Sequence, residues 1–160
     1  MIILILAIDQ DNLVGSTTSS NGLAWHYKED LDFYKQTTTG KQTVMGYNTY
    51  KAIGGALPNR ETFVLSHSPR ELKDATLVSS LQEVLDLQKN GDVYICGGVS
   101  VYKQFIDYAD KILITRVNKS HKGDVYYHDL NLSHFNLRES ISSEDKILTW
   151  ESWSNENCKD

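Results

Sequence analysis

Three groups of residues in this chain are of types that do chemistry. The first is the stretch WHYKEDLDFYKQ, Trp25 to Gln36. Read as a helix, it recurs in apolar residues at Tyr27, Leu31 and Tyr34, and the i+3 position of that stripe is Asp30. A carboxyl group within an apolar face has to be paired, protonated or used. Two structural uses, capping a neighbouring backbone or pairing with a buried arginine, stand beside a role in proton chemistry. Glu29 and Asp32 fall on the polar faces and read as solvated charges.

The second group consists of two places where an apolar run meets glycine and then a helical pattern. In QTVMGYNTYKAI, Gly46 precedes Asn48 and Thr49; in DVYICGGVSVYKQF, Cys96 is followed by Gly97 and Gly98, and a helix is expected from Val99. Glycine before a helix start lets a phosphate come close to free backbone N–H groups. Two such turns suit a dinucleotide, although neither matches the G-x-G-x-x-G or P-loop pattern and a lone Gly-Gly also makes an ordinary tight turn. The third group is Arg60 in GGALPNRE, whose fork could hold a carboxylate bidentately or simply be a solvated loop cation.

Elements able to position these residues are legible in outline. Runs 1–8, 42–45, 61–66, 92–96 and 111–117 read as strands, several of them apolar on both faces, which suits a largely parallel sheet covered by helices. Helical patterns lie at 25–36, 48–53, 80–90 and 99–108. In the third, Ser80 and Glu83 make a capping box and Gly91 stops the run. NLRESISS followed by SEDKILTWESW reads as an antiparallel hairpin closing the sheet. The expectation is an α/β fold with one domain over 1–160, a mostly parallel central β-sheet flanked by helices on both faces, and a C-terminal antiparallel hairpin. If both glycine turns sit at carboxyl ends of parallel strands, they lie where ligands bind in such sheets. The segment GSTTSSNG, residues 15–22, is a candidate lid or a tolerant surface turn.

Composition narrows the function. With 160 residues, 16 Lys and Arg against 21 Asp and Glu, and a net charge of -5, the chain is of single-domain size and a poor candidate for nucleic acid or anionic membrane. MIILILAI is too short to span a bilayer and reads as a buried strand. Cys96 and Cys158 form no disulfide framework, which points to a reducing cytoplasm. The histidines show no metal-ligand spacing, so no metal is expected.

Taken in order, ILAID, LVG, Trp25 with DLDFYK, VMGYNTYKAIG, LPNR, VLS, ICGGVSVYKQF, ILITRV with Thr115, and GDVYY are similar to the dihydrofolate reductase family over nearly the whole chain. The resemblance implies a monomeric enzyme moving a hydride from NADPH to C6 of 7,8-dihydrofolate, with a proton reaching N5, and makes antifolate inhibitors candidate ligands, while the sequence leaves antifolate sensitivity open. It makes Asp30 the acid that holds the pterin, supported by Thr115, with Trp25 holding a water. It places Ile5, Ala7, Leu31, Tyr34, Ile53 and Leu57 around the substrate and Arg60 on its glutamate. It gives NADPH to Ala7, Leu13, Gly15, Gly46, Asn48, Thr49, Ser66, His67, Cys96 and residues Gly97, Gly98, Val99, Ser100, Val101, Tyr102 and Gln104. It makes the loop after Gly15 a mobile lid latched by Asp124.

The chain departs from the family pattern in places. Tyr47 and Ser100 stand where many members carry arginine, which leaves the 2'-phosphate to His67, Ser66, Lys51 or backbone groups and implies weaker discrimination against NADH. Ala24 replaces a proline and Val99 a glycine. Two other readings are a riboflavin-pathway reductase, which shares fold and cofactor but lacks the pairing of Asp30 with Arg60, and a nucleotide-binding module without catalysis.

Overall fold

A computed structural model of the chain describes residues 1–17 and 22–157. Among these described residues ten strands and four α-helices follow in order: β1 (Ile2–Asp9), β2 (Leu13–Gly15), α1 (Lys28–Thr38), β3 (Gln42–Gly46), α2 (Tyr47–Ile53), β4 (Glu61–Leu65), β5 (Thr76–Val78), α3 (Leu81–Asp86), β6 (Val93–Ile95), α4 (Val99–Phe105), β7 (Lys111–Val117), β8 (Val125–Tyr126), β9 (Phe135–Ser142) and β10 (Leu148–Asn155). Eight strands form one sheet in the order β5-β4-β3-β6-β1-β7-β10-β9, and β2 pairs with β8 beside it. From β5 to β7 all pairings are parallel; β10 runs antiparallel to β7, and β9 to β10.

The apolar run at the N-terminus becomes the central strand because both of its faces are covered. Ile2, Leu4, Leu6 and Ile8 point to the layer holding α3 and α4, whereas Ile3 and Ile5 point to Phe33 and Tyr34 of α1. Helix α2 covers the same side as α1, with Tyr50 and Ile53 packed on Met45 and Val64. Each fully buried aliphatic side chain of this kind contributes about 1.5–3 kcal/mol, so the paired runs hold the carboxyl ends of β1, β3 and β6 in fixed relation.

The structure corrects several expected boundaries. Helix α1 begins at Lys28 rather than Trp25, because Tyr27 is extended (φ -123, ψ 112) and caps the helix with its carbonyl, which accepts from the N–H of Asp30 and Leu31. The patterns at 80–90 and 99–108 each end in a tighter turn, Leu87–Asn90 and Ile106–Tyr108. The Ser80 hydroxyl accepts from the N–H of Glu83, as the capping box predicts. Three short strands, β2, β5 and β8, were not anticipated. They are too short to show a period, and each is held by a neighbour, β5 by β4, and β2 and β8 by each other. The candidate lid falls partly on residues 18–21, which lie outside the described residues, as does Cys158.

Candidate active site

Asp30 occupies the first turn of α1, where free N–H groups favour a negative charge. The turn lies over one cross-strand row of the sheet: Ala7 of β1 pairs with Thr115 of β7, and Thr115 pairs with Trp150 of β10. From that row, Thr115 Oγ1 donates to Asp30 Oδ1 at 2.7 Å and Trp150 Nε1 donates to the same oxygen at 3.2 Å. Both donors converge on Oδ1, which leaves Oδ2 for a ligand. Burial pushes the Asp30 carboxyl above its ordinary value of 3.8, and the hydrogen bonds from Thr115 and Trp150 oppose that rise. Among the described residues the carboxyl therefore neither caps a backbone nor pairs with arginine, the two structural uses its position allowed.

Around Asp30 the wall is apolar. Ile5 packs with Phe33 and Tyr34, and Ala7 packs with Leu13, Trp25 and Trp150. The Tyr34 hydroxyl contacts the Cys96 thiol; burial raises both, the thiol to about 12, so Cys96 stays protonated and unreactive. Leu31, Ile53 and Leu57 are half-buried. A depression of about 280 Å³ beside Trp150 is lined also by Glu29, Asp32, Phe33 and Gln36. Trp25 is buried and its ring lies 5.4 Å from that of His121. Among the described residues no hydrogen bond joins Trp25 to Asp30.

Arg60 is held rather than free. Its Nε donates to Thr38 Oγ1 at 3.0 Å, its Nη1 donates to the Pro58 carbonyl at 2.8 Å, and its guanidinium lies 5.8 Å from the centre of the Tyr34 ring. The fork thus borders the cavity wall at the end of α1 remote from Asp30, with donors to spare for a carboxylate.

The two glycine turns come together. Strand β6 fills the place between β3 and β1, so the turns after β3 and β6 are neighbours at the carboxyl edge of the sheet, and the N–H of Gly46 donates to the Gly97 carbonyl at 2.8 Å. Gly97 has φ +123, a conformation side chains rarely adopt, and a Cβ there would come within 3.3 Å of the Tyr102 hydroxyl. That hydroxyl in turn donates to the Ile5 carbonyl at 2.7 Å. A Cβ on Gly98 would lie 3.3 Å from Thr49 Oγ1. The bare backbone is a cradle that an added side chain would fill, and Val101 closes its floor against Gly46. Asn48, Ser100 and Gln104 are exposed, and Val99 is half-buried.

Ser66 and His67 follow β4 at the same edge. Ser66 Oγ donates to the Ser68 carbonyl, and His67 Nδ1 is 3.1 Å from the Ser79 carbonyl. Nearby, Tyr47 carries two cations on its ring: Arg70 Cζ lies 4.2 Å and Lys51 Nζ 4.9 Å from its centre. At the opposite flank, Thr17 donates through N–H (2.8 Å) and hydroxyl to Asp124, which holds that carboxyl below its usual range. The base of the loop is closed further by the N–H of Ser16 on the Gly22 carbonyl.

Trp150 and Arg70 were not found from the sequence. Trp150 lies in the last strand, where only the register with β7 reveals what it faces. Arg70 lies in an irregular segment with no pattern of its own. A larger cavity, about 530 Å³, opens among Lys103, Tyr127, Asp129, His134 and Glu156, and neither Asp30 nor the glycine turns line it.

A mostly parallel sheet covered on both faces, with a glycine-lined cradle at its carboxyl edge and a half-buried acid beside it, is the framework of an α/β oxidoreductase that works with a nicotinamide nucleotide. Comparison with known proteins makes this specific. The family model described as dihydrofolate reductase matches residues 1–151. Dihydrofolate reductase of Bacillus subtilis is 34% identical over 146 residues, covering 90% of this chain and 83% of that protein; that of Haemophilus influenzae is 32% identical, covering 80% and 79%. The structure of dihydrofolate reductase from Enterococcus faecalis, complexed with NADP(H) and RAB-propyl, superposes with a TM-score of 0.89 at 25% identity, over 98% of this chain and 97% of that one. The chain belongs to the dihydrofolate reductase family.

Proposed function

We propose that this protein catalyses NADPH-dependent reduction of 7,8-dihydrofolate to 5,6,7,8-tetrahydrofolate, supplying one-carbon metabolism. The observation that carries this reading is the Asp30 carboxyl: half-buried over the Ala7–Thr115–Trp150 row, with one oxygen held by two donors and the other open. Asp30 accepts from the 2-amino group and ring N3 side of the pterin. Its charge favours the protonated ring, and so the arrival of a proton at N5. Thr115 holds the carboxyl in place, and Trp25 shelters the water beside it. Ile5, Ala7, Leu31, Tyr34, Ile53 and Leu57 exclude solvent and align the ring system, and Arg60 grips the glutamate carboxylate.

NADPH supplies the hydride when bound. Ala7, Leu13, Gly15, Gly46, Asn48, Thr49, Cys96 and residues 97–102 with Gln104 would hold the cofactor, the glycine turns offering their N–H groups to its phosphates. Ser66 and His67 would meet the 2'-phosphate, joined by Arg70 and Lys51 on the Tyr47 ring, which would supply the charge of the missing family arginine. Residues 1–160 make one dihydrofolate reductase domain, working as a monomer in the cytoplasm without nucleic acid or membrane, and open to antifolate inhibitors. No helix among the described residues is long and apolar enough to cross a membrane. Mixing purified protein with NADPH and dihydrofolate tests the reading: cofactor oxidation that depends on dihydrofolate is expected, and its absence overturns the proposal.

A further inference from the structure

Trp150 makes a contact with Asp30 that the reaction scheme above does not use. Its Nε1 lies 3.2 Å from Asp30 Oδ1, 120 residues away in the chain. The ring is fixed on two sides. Phe33 of α1 lies against it with centroids 6.1 Å apart, and the cluster of Leu13, Trp25, Val117 and Leu148 packs around it. Antiparallel pairing with Thr115 sets its height above the sheet. An indole N–H can only donate, whereas the Thr115 hydroxyl can rotate and accept. With Thr115 alone, a proton on Oδ1 would still find an acceptor. With Trp150 also pointing at Oδ1, a proton there would face an N–H that cannot turn away.

We propose that Trp150 is a positioning residue for the acid of this enzyme: its indole N–H reserves Oδ1 of Asp30 as an acceptor, directs any proton to Oδ2, and favours the carboxylate. The inference rests on the reading of Asp30 as the pterin-binding acid. Charged groups on the elements packed against Asp30 leave this role to Trp150 and Thr115. On α1, Asp32 pairs with Lys28 at 2.8 Å and Glu29 is exposed. On β7 and β10, Arg116 and Glu151 pair with each other at 3.0 Å, each next in sequence to a residue of the row and so on the opposite face of the sheet. On β1, Asp9 accepts from the N–H groups of Asp11, Leu13 and His121. His121 itself bonds the Tyr27 hydroxyl at 2.8 Å.

Trp150→Phe keeps the ring and removes the donor. Two readouts apply: single-turnover oxidation of NADPH by dihydrofolate across pH on both sides of neutrality, and titration of the ¹³C-labelled Asp30 carboxyl, its resonance identified by its loss in Asp30→Asn. Loss of one hydrogen bond to a charged oxygen should raise both midpoints by about one pH unit, about tenfold in proton affinity. A lower rate at every pH with unmoved midpoints would show a merely structural role and overturn the proposal. In the unsubstituted protein, the Trp150 indole proton resonance should follow the Asp30 titration with the same midpoint; an indole proton indifferent to that titration overturns it as well. If the parent protein fails to oxidise NADPH with dihydrofolate, the functional reading falls, while the carboxyl and indole titrations still decide the contact.

Discussion

Replacing Asp30 by Asn tests the acid most directly, and the surrounding donors decide what the amide does. Thr115 and Trp150 both donate to Oδ1, so the amide must turn its oxygen toward them and its NH₂ toward the open side. There the NH₂ meets the donors of the pterin edge instead of accepting from them. The variant therefore loses the charge facing a cationic ring and also gains a donor–donor clash. The charge alone, at a separation of about 4 Å and an effective dielectric of about 20, is worth about 4 kcal/mol. That corresponds to about a thousandfold in hydride transfer at neutral pH. The assay is single-turnover oxidation of NADPH with saturating dihydrofolate. With the ring proton drawn from solvent alone, the variant should regain roughly tenfold for each pH unit lowered until the substrate is protonated. A variant within tenfold of the parent at neutral pH would refute the role of Asp30 and the orientation argument with it.

Stability should move the other way in the same variant. Burial raises the folded-state value of Asp30 above its unfolded value of 3.8, so the folded state binds more protons and loses stability as pH rises through that window. Asp30→Asn is then expected to raise Tm at neutral pH, with the gain fading as pH falls below the unfolded value; equal gains at both pH values would contradict this. Arg60→Gln should raise KM for dihydrofolate by about ten- to a hundredfold, the worth of a charged hydrogen bond or two, and leave turnover of a substrate lacking the glutamate unchanged. Arg70→Ala should raise KM for NADPH by about tenfold without changing KM for NADH; parallel losses with both cofactors would exclude contact with the 2'-phosphate.

Asp30 was legible because helix periodicity alone makes a carboxyl on an apolar stripe costly, although Tyr27, one member of that stripe, proves to be the cap and not part of the helix. The glycine turns at Gly46 and Gly97 were legible as local composition. That they touch was not, because their adjacency depends on β6 entering between β3 and β1 long after both were made. Trp150 illustrates the same limit. WESW reads as a strand in a hairpin, but only the pairing of Trp150 with Thr115 aims its N–H at α1. Of the two cations on Tyr47, Lys51 stands one helical turn away on α2 and was named from the sequence, whereas Arg70 comes from an irregular segment after β4 and has no spacing to betray it.

The place of β1 has a consequence for how the chain is made. Ile2–Asp9 is apolar on both faces, and the strands that flank it in the sheet, β6 and β7, begin only at Val93 and Lys111. On the ribosome this segment waits for those partners while the intervening residues are translated, an exposed strand of the kind that aggregates or is held by a chaperone. The acid then waits longer still, since Trp150 arrives with β10. A polypeptide stopped before Leu148 would carry every glycine turn and Asp30 itself, yet would lack both the edge that covers β7 and one of the two donors that orient the carboxyl.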